Sequence, residues 1–418
     1  MRLGSSICIT FTVLLVWAHV LRPQENESPP TVTRAFIAGG DISTLQQIEE
    51  CSGSFTECGE KRDLLYILKD HGVNCIRLRL WHTPQGGTNG LEKTLAMARR
   101  IEALGMKLLL DLHYSDTWAD PGKQFKPAAW MGLPFETLKD SVFCYTRDVV
   151  AAFRRQGTPP AMIQIGNEIT CGMLWDDGRV CGPFDTSKQW DRFTELLKAG
   201  IAGVQAGMRG IRTKTGSIRD GTVDVSTSTG VEHAPAGTVD TSAAGPLEAP
   251  EIVIHADSGG NRAVCIRFYD NLLARGVGFD IVGLSFYPWW HGTFDDLEDN
   301  LFALARRYGK GILVVETAYP WTLGWNDDTH NIVGLPSHVL EGYPASVEGQ
   351  KRFLTDLAAV IKRTPGGRGL GFVYWEPAAI AVPGAGSAWE NMTLFDFEGE
   401  LLRSIESFHE DPRINQKE

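Results

Sequence analysis

Short apolar runs alternate with amphipathic stretches along most of the 418 residues, and this alternation most limits the possible folds. The short runs are typical of buried parallel strands, and the stretches between them carry apolar residues at helical spacings of three and four. Eight strand–helix units predict a parallel sheet closed into a (β/α)8 TIM barrel. Strands are predicted over Phe36–Gly40, Val73–Trp81, Met106–His113, Ala161–Glu168, Glu251–His255, Phe279–Tyr287, Gly311–Glu316 and Gly369–Glu376. Helices are predicted over Lys61–His71, Leu91–Leu104, Leu138–Arg154, Gln189–Met208, Ala263–Ala274, Leu297–Arg307 and Gly349–Lys362.

The N-terminal segment differs in composition from the predicted barrel. Arg2, an apolar run from Ile7 to Leu21 and a polar stretch after it are typical of a signal peptide, so residues 1–22 are predicted to be cleaved and 23–34 to form a linker. A secreted protein, extracellular or periplasmic, is expected, without stable membrane insertion. An uncleaved anchor is the alternative, although the run is shorter than the roughly 20 residues that usually span a bilayer.

Residues 35–410 are predicted to form one domain with a single interruption. The stretch Thr213–Pro250 is rich in Gly, Thr, Ser, Ala and Asp and has almost no large apolar residues, which predicts a flexible insertion. A substrate-contacting flap is the alternative interpretation of this stretch. A monomer is expected.

Charge and aromatic content narrow the class of partner. The formal net charge of -11 has the wrong sign for neutralising phosphates, so no nucleic-acid partner is expected, and a neutral polymer suits the surface better than a polyanion. The chain has 12 Trp residues, and flat indole faces pack well against the apolar faces of sugar rings.

The cysteines predict two possible disulfides. Cys51 and Cys58 flank one short loop, and Cys171 and Cys181 flank another, and either pair is a candidate bridge in an exported protein. Cys75, Cys144 and Cys265 lie in apolar stretches and are expected to be core residues. Asn26 and Asn391 begin glycosylation sequons, which also occur often by chance.

Polar side chains follow the predicted strands, where catalytic groups of TIM barrels lie. Two glutamates, Glu168 and Glu316, come directly after apolar strands, and an isolated carboxylate there is costly to bury unless it is paired or used. Glycoside hydrolysis uses such a pair, one as an acid and one as a nucleophile or base. The alternative is that each Glu only forms a salt bridge to an Arg inside the barrel.

Five segments carry a resemblance to a known family. LDLHYSDTWADPGKQFKPAAW, IQIGNEITCGMLW, VGLSFYPWW, VVETAYPWT and FVYWEPAAI occur in this order between Leu110 and Ile380. They resemble the endo-β-1,4-galactanases of glycoside hydrolase family 53, a family of retaining barrel glycosidases, and the likeness runs from about Phe36 to Phe408 outside the insertion. The resemblance implies endo-hydrolysis of β-1,4-galactan or arabinogalactan, without a catalytic cofactor.

The resemblance also implies roles for single residues. Glu168 matches the acid/base, and its pKa is expected to be raised. Glu316 matches the nucleophile, Asn167 the Asn that binds the 2-hydroxyl of the sugar, and Tyr287 the Tyr that holds the nucleophile. Arg77 or Arg79 is expected to keep Glu316 ionised, and the sequence does not choose between them.

Other residues are predicted to contribute to sugar binding. Substrate contacts are expected for Arg77, Arg79, His113, Asp116, Trp118, Trp290 and Trp375, and Asp120 and Glu376 are expected to line the sugar subsites. A buried His inside the barrel is the alternative for His113. The chain departs from the family at Ala379, where the family usually carries a further Trp, so one stacking platform is expected to be missing.

A structural calcium ion is implied by the bacterial branch of the family. The loop after the seventh strand contains Asn326, Asp328 and His330 at alternating positions, and oxygen ligands from such a loop suit calcium. A solvated polar turn is the alternative.

The sequence therefore predicts a retaining endo-β-1,4-galactanase. One rival is another retaining barrel hydrolase, such as a mannanase or cellulase, and the HYSDTWADP segment argues against it. A second rival is a glycan-binding barrel without turnover, and the presence of Glu168, Glu316, Asn167 and Tyr287 argues against that.

Overall fold

A computed structural model describes residues 34–209 and 248–409. Eight parallel strands close into a barrel in which each strand pairs with its neighbours in the sequence and the first pairs with the last, so the predicted TIM barrel is confirmed. The strands are β1 (Ile37–Asp41), β2 (Cys75–Leu80), β3 (Lys107–Leu112), β4 (Met162–Ile165), β5 (Glu251–Ala256), β6 (Ile281–Ser285), β7 (Gly311–Thr317) and β8 (Gly369–Trp375).

Several predicted strands extend beyond the observed ones at their C-terminal ends. Glu168 and Tyr287 were placed inside strands, whereas β4 ends at Ile165 and β6 at Ser285. The backbone leaves the sheet after Ile165, and Glu168 has left-handed angles (φ 48°, ψ 53°). These residues lie in the loops at the barrel mouth, as the fold requires of a catalytic site.

Helices cover the outside of the barrel. They are α1 (Leu45–Glu50), α2 (Leu64–Asp70), α3 (Leu91–Ala103), α4 (Phe135–Gln156), α5 (Ser187–Arg209), α6 (Arg262–Ala274), α7 (Pro288–His291), α8 (Phe294–Tyr308) and α9 (Val347–Lys362). The predicted helix Lys61–His71 begins later because Glu60–Arg62 pair with Phe55–Glu57 in a hairpin and the Asp63 side chain caps α2. Thr293 and Asp296 form a capping box that fixes the start of α8.

The barrel interior divides into an apolar layer and a polar layer. Toward the N-terminal ends of the strands, ten buried residues including Leu109, Met162 and Val253 form a separate apolar cluster. Each fully buried side chain of this kind contributes roughly 1.5–3 kcal/mol to stability. Toward the C-terminal ends the buried interior residues are polar, namely Asp41, Arg77, Asp111, Gln164, His255, Ser285 and Glu316. This polar layer is the floor of the candidate site.

Several sequence predictions fall outside the described residues. Residues 1–33, with the predicted signal peptide, most of the linker and Asn26, lie outside them, as do residues 210–247, which include most of the predicted insertion. Within the described part of the chain, no helix is long and apolar enough to cross a bilayer. Asn391 is fully buried and its amide donates to Val333 and Thr322 carbonyls, so its sequon is not accessible for glycosylation in the folded protein.

The cysteine pairs differ in environment. Cys171 and Cys181 flank a hairpin in which Gly172 pairs with Arg179, and the two thiols are close enough to affect each other's ionisation. Burial raises the pKa of the Cys171 thiol to about 12. Neither predicted bridge is formed in the structure, where Cys51, Cys58, Cys171 and Cys181 are thiols.

Candidate active site

A cavity of about 630 Å³ opens at the C-terminal end of the barrel. The predicted site residues that line it are Trp118, Asp120, Asn167, Glu168, Tyr287, Trp290, Glu316 and Trp375. Residues that the sequence did not single out complete the lining, and these include Lys123, Asp257, Ser258, His291 and Trp389. The structure therefore brings most of the predicted residues together from separate βα loops.

Glu316 lies near the end of β7, beside one cation and one phenol. Its Oε1 is 2.8 Å from Nη1 of Arg77, and the Tyr287 hydroxyl donates to its Oε2 over 3.2 Å. Both partners leave the carboxylate little freedom to rotate, because they hold both of its oxygens. Of the two arginines that the sequence left open, Arg77 contacts Glu316, whereas Arg79 pairs with Glu376 at 2.6 Å.

Arg77 is fully buried beneath the cavity and contacts carboxylates from several strands. Its guanidinium lies 3.0 Å from Asp41, 2.9 Å from Asp111 and 2.8 Å from Glu316. Neither Arg77 nor Arg79 lines the cavity, since their side chains are 0% and 2% exposed. The prediction that these arginines bind substrate therefore needs correction, because they are covered by the groups they hold.

Glu168 follows β4, and its side chain hydrogen-bonds to a neutral hydroxyl instead of an arginine. The Ser285 hydroxyl donates to its Oε1 over 2.7 Å, and its backbone amide lies 3.3 Å from Nδ1 of His255. Asn167 precedes it, with Oδ1 accepting from Arg77 at 2.9 Å and Nδ2 donating to the Ala119 carbonyl at 2.8 Å. One N–H of Asn167 is then left for a ligand in the cavity, which suits the predicted contact to a sugar hydroxyl.

The two glutamates are perturbed in the same direction for different reasons. Burial and the nearby Glu316 and Asp257 carboxylates raise the pKa of Glu168 well above its ordinary value. Burial raises the pKa of Glu316 to about 7, against the opposing effect of Arg77. Because only Glu316 has a cation in direct contact, a single proton shared between the two carboxyl groups favours Glu168 and leaves Glu316 ionised.

His113 and Asp116 lie away from the cavity surface. His113 is 1% exposed, with Nε2 2.8 Å from Asp111 and Nδ1 accepting from the Ala119 amide. The Asp116 carboxylate accepts from the backbone amides of Thr83 and Ala128, so it holds two loops together. Neither contacts the cavity, and the prediction that they bind substrate is corrected to a supporting role because their polar atoms are occupied by protein groups.

Aromatic rings form the walls of the cavity. Trp118 lies 5.8 Å from Trp375, and Trp389 lies 6.3 Å from Trp375 and 5.7 Å from Tyr287, measured between ring centroids. Trp290 is 58% exposed at the rim. Ala379 occupies the position at which the family usually carries a further Trp. It is buried and adds no aromatic ring to the cavity.

Sequence reasoning missed residues at the end of β5 and β6 as well as Trp389. His255 and Asp257 follow the same rule of strand-end polarity that found Glu168, and applying the rule to β5 would have found them. Ser285 is the last residue of β6 and was not among the predicted site residues. Trp389 lies in an irregular loop, where no strand rule applies.

The predicted calcium ligands do not fit that ion. Asn326, Asp328 and His330 are exposed, and the His330 ring packs against Trp325 with centroids 5.1 Å apart. Calcium takes about six to eight oxygen ligands, and this set supplies one carboxylate and one amide oxygen. Within residues 34–209 and 248–409, no group of three or more His, Cys, Asp or Glu side chains is placed to hold a metal.

Comparisons with known proteins agree with this geometry. Residues 37–408 match the model of glycosyl hydrolase family 53. The chain is 46% identical over 378 residues to an uncharacterized protein in the bgaB 5′ region of Niallia circulans, covering 89% of this chain and 93% of that protein. It is 34% identical over 384 residues to a probable arabinogalactan endo-beta-1,4-galactanase A of Aspergillus terreus, covering 90% and 95%. A solved catalytic domain of this family from Ignisphaera aggregans superposes with a TM-score of 0.77 at 37% identity, covering 91% and 97%.

Proposed function

Because the chain belongs to glycosyl hydrolase family 53, we propose that it hydrolyses internal β-1,4-galactosidic bonds of galactan, the side chains of type I arabinogalactan, by a retaining double displacement. The observation that carries this proposal is one cavity lined by two glutamates, of which only Glu316 contacts a cation. Such an unequal pair is what a nucleophile and an acid require.

The reaction proceeds in two displacements. In the first, a carboxylate oxygen of Glu316 attacks the anomeric carbon as the bond to the glycosidic oxygen breaks, and Glu168 donates its proton to that oxygen. The products are a glycosyl ester of Glu316 and the departing chain. In the second, ionised Glu168 takes a proton from water while the water oxygen attacks the anomeric carbon, which releases Glu316 and leaves Glu168 protonated.

The surroundings of the glutamates support these roles. Arg77 and Tyr287 hold Glu316 as an oriented anion in the ground state, and Arg77 receives the carboxylate again after the second displacement. The free N–H of Asn167 supports the predicted contact to the 2-hydroxyl, which strengthens as the transition state forms. The tryptophans along the walls suit the apolar faces of neutral sugars, and the net charge of -11 is compatible with an uncharged polymer.

Location and assembly are part of the proposal. We infer that the protein is exported, because the N-terminal segment has the composition of a signal peptide and a polymer such as galactan lies outside cells. We also propose that it acts as a monomer. N-terminal sequencing of the protein from its natural host and its mass in solution test these two statements.

The function is tested by measuring reducing-sugar release from linear β-1,4-galactan, β-mannan and β-glucan. We expect galactan-selective turnover by the wild type and none by Glu316→Ala. Glu136→Ala is the matched control, since Glu136 lies on the outer surface of α4 with its side chain 78% exposed. If mannan or glucan were cleaved in preference to galactan, the proposed substrate would be wrong. A folded wild type that cleaves none of the polymers would favour a glycan-binding protein.

A further inference from the structure

Two buried groups, His255 and Ser285, form a chain of hydrogen bonds that ends on Glu168. His255 and Ser285 are both 0% exposed, with Nε2 of His255 2.8 Å from Oγ of Ser285. The same Oγ lies 2.7 Å from Oε1 of Glu168. The two distances alone do not give the direction of the hydrogen bonds, because a hydroxyl and an imidazole can each donate or accept.

The backbone of Glu168 sets that direction. Its N–H points at Nδ1 of His255 over 3.3 Å, and Nε2 of Gln164 lies 3.1 Å from the same nitrogen. Asn167 Oδ1 is also 3.1 Å from Nδ1, but this oxygen already accepts from Arg77 and Gln164. A backbone N–H can only donate, so Nδ1 is the acceptor and a neutral ring carries its proton on Nε2.

The ring is neutral because of its surroundings. Burial, with the nearby Arg77 guanidinium, lowers the pKa of His255 well below its ordinary value. A neutral ring with its proton on Nε2 must donate to Oγ of Ser285. The Ser285 hydroxyl therefore has one direction left for its own proton, toward Oε1 of Glu168.

We propose that His255 and Ser285 are positioning residues that fix a hydrogen bond into Oε1 of Glu168, so that the proton delivered to the leaving glycosidic oxygen resides on Oε2. The proposal rests on the proposed function of Glu168 as acid/base and adds how its proton is placed. In the second displacement, the same hydroxyl stabilises the Glu168 anion before it accepts a proton from water.

Loss of the Ser285 hydroxyl is expected to change the pKa of Glu168 in one direction. The Ser285 hydroxyl bonds to the ionised form of Glu168, so removing it raises the pKa of Glu168, and the shift is about one unit for a charge-assisted hydrogen bond. The charged groups that face Glu168, Glu316, Asp257 and Arg77, remain in place. The high-pH limb of the kcat/KM profile on galactan, which falls as Glu168 loses its proton, moves to higher pH in Ser285→Ala.

The experiment compares Ser285→Ala with Ser285→Thr, which keeps a hydroxyl. We expect the high-pH limb to rise by about one unit in the alanine variant and to return toward wild type in the threonine variant. Cleavage of a dinitrophenyl β-galactoside, whose leaving group needs no proton, is expected to keep its rate for the first displacement. An unmoved limb in Ser285→Ala, or equal shifts in both variants, overturns the proposal.

A second measurement does not depend on the substrate. The pKa of the Glu168 carboxyl is followed by carbon NMR in protein with labelled glutamate, using Glu168→Gln to assign the signal. A higher pKa in Ser285→Ala than in Ser285→Thr supports the proposal even if galactan proves not to be the substrate, and an unchanged pKa overturns it even if galactan is cleaved. If Ser285→Ala does not fold, Ser285→Cys gives the same comparison with a weaker donor of similar size, for which an upward shift is again expected.

Discussion

The two glutamates that line the cavity have different neighbours on its two sides. On the side of β7, Glu316 contacts the buried Arg77 and the Tyr287 hydroxyl. On the side of β4 to β6, Glu168 contacts the Ser285 hydroxyl and lies near the Asp257 carboxylate. Burial penalises the charge on both glutamates, but only one has a cation in contact. The comparison teaches that the neighbours and not the residue type divide the roles of nucleophile and acid.

The largest expected effect separates the two glutamates by their dependence on the leaving group. Glu316→Ala removes the nucleophile and is expected to abolish cleavage of galactan and of dinitrophenyl β-galactoside alike. Glu168→Ala is expected to slow galactan cleavage by roughly 10²–10⁴-fold, the usual range of general acid–base catalysis, while the first displacement on the dinitrophenyl substrate remains fast. A burst of dinitrophenol followed by slow turnover measures this, because the second displacement lacks its base.

One result would contradict this assignment of the two glutamates. If Glu168→Ala loses the burst and Glu316→Ala keeps it, the roles of the two glutamates are exchanged. Added azide is a further check, since a small anion can attack the glycosyl ester without a general base and restore turnover only in Glu168→Ala.

The next effect concerns the cation on the nucleophile side. Arg77→Met leaves Asp41, Asp111 and Glu316 buried without their shared partner, and breaking a buried ion pair costs about 3–5 kcal/mol. The free energy of unfolding, measured in urea, is expected to fall by that amount. Arg352→Met is the control, because its side chain is 65% exposed. Equal stability of the two variants would show that the polar layer of the barrel does not depend on Arg77.

Arg77→Lys tests the catalytic part of the same arrangement. A lysine keeps one charge but cannot span the carboxylates on several strands as a guanidinium does. Arg77 opposes the effect of burial on Glu316, so weakening it raises the pKa of Glu316 above about 7. Glu316 must be ionised to attack, and the low-pH limb of kcat/KM therefore moves to higher pH while the high-pH limb stays in place.

A third effect concerns the loop beyond Glu168. The thiols of Cys171 and Cys181 lie near each other at the two ends of one hairpin, so oxidised glutathione is expected to convert them to a disulfide by thiol–disulfide exchange, with the release of two reduced glutathione molecules. Closing a loop of this size contributes about 2–4 kcal/mol to the free energy of unfolding. Peptide mapping identifies the bridge, and Cys171→Ser should not gain this stability on oxidation. Stability that does not change on oxidation of the wild type would contradict the prediction.

The sequence predicted the barrel because each apolar run fills one layer of it, and it predicted Glu168 and Glu316 because strand ends meet at one mouth. It could not choose between Arg77 and Arg79, which lie two residues apart on the same strand, since the choice depends on which side chain reaches Glu316 on β7 in the folded barrel. The polar atoms of His113 and Asp116 are occupied by Asp111 and by loop amides, and those partners form only in the folded chain. Trp389 reaches the cavity through an irregular loop, for which no sequence period exists.

The smallest expected effect concerns a single charge, the Asp257 carboxylate. Asp257 lines the cavity beside Glu168, and its carboxylate raises the pKa of Glu168. Asp257→Asn removes that charge, so the pKa of Glu168 falls and the high-pH limb of kcat/KM moves to lower pH, by less than one unit because burial and Glu316 still act. Asp299→Asn, with its side chain 61% exposed on α8, is the control.

The low-pH limb distinguishes a local effect from a general one. Arg77, Asp111 and Asp41 are the charged groups that most affect Glu316, so this limb is expected to stay in place in Asp257→Asn. Ser285→Ala moves the high-pH limb upward and Asp257→Asn moves it downward, and the double variant should lie between the two. If both limbs moved together in Asp257→Asn, the charge of Asp257 would act on Glu316 as well as on Glu168, which would contradict a local effect.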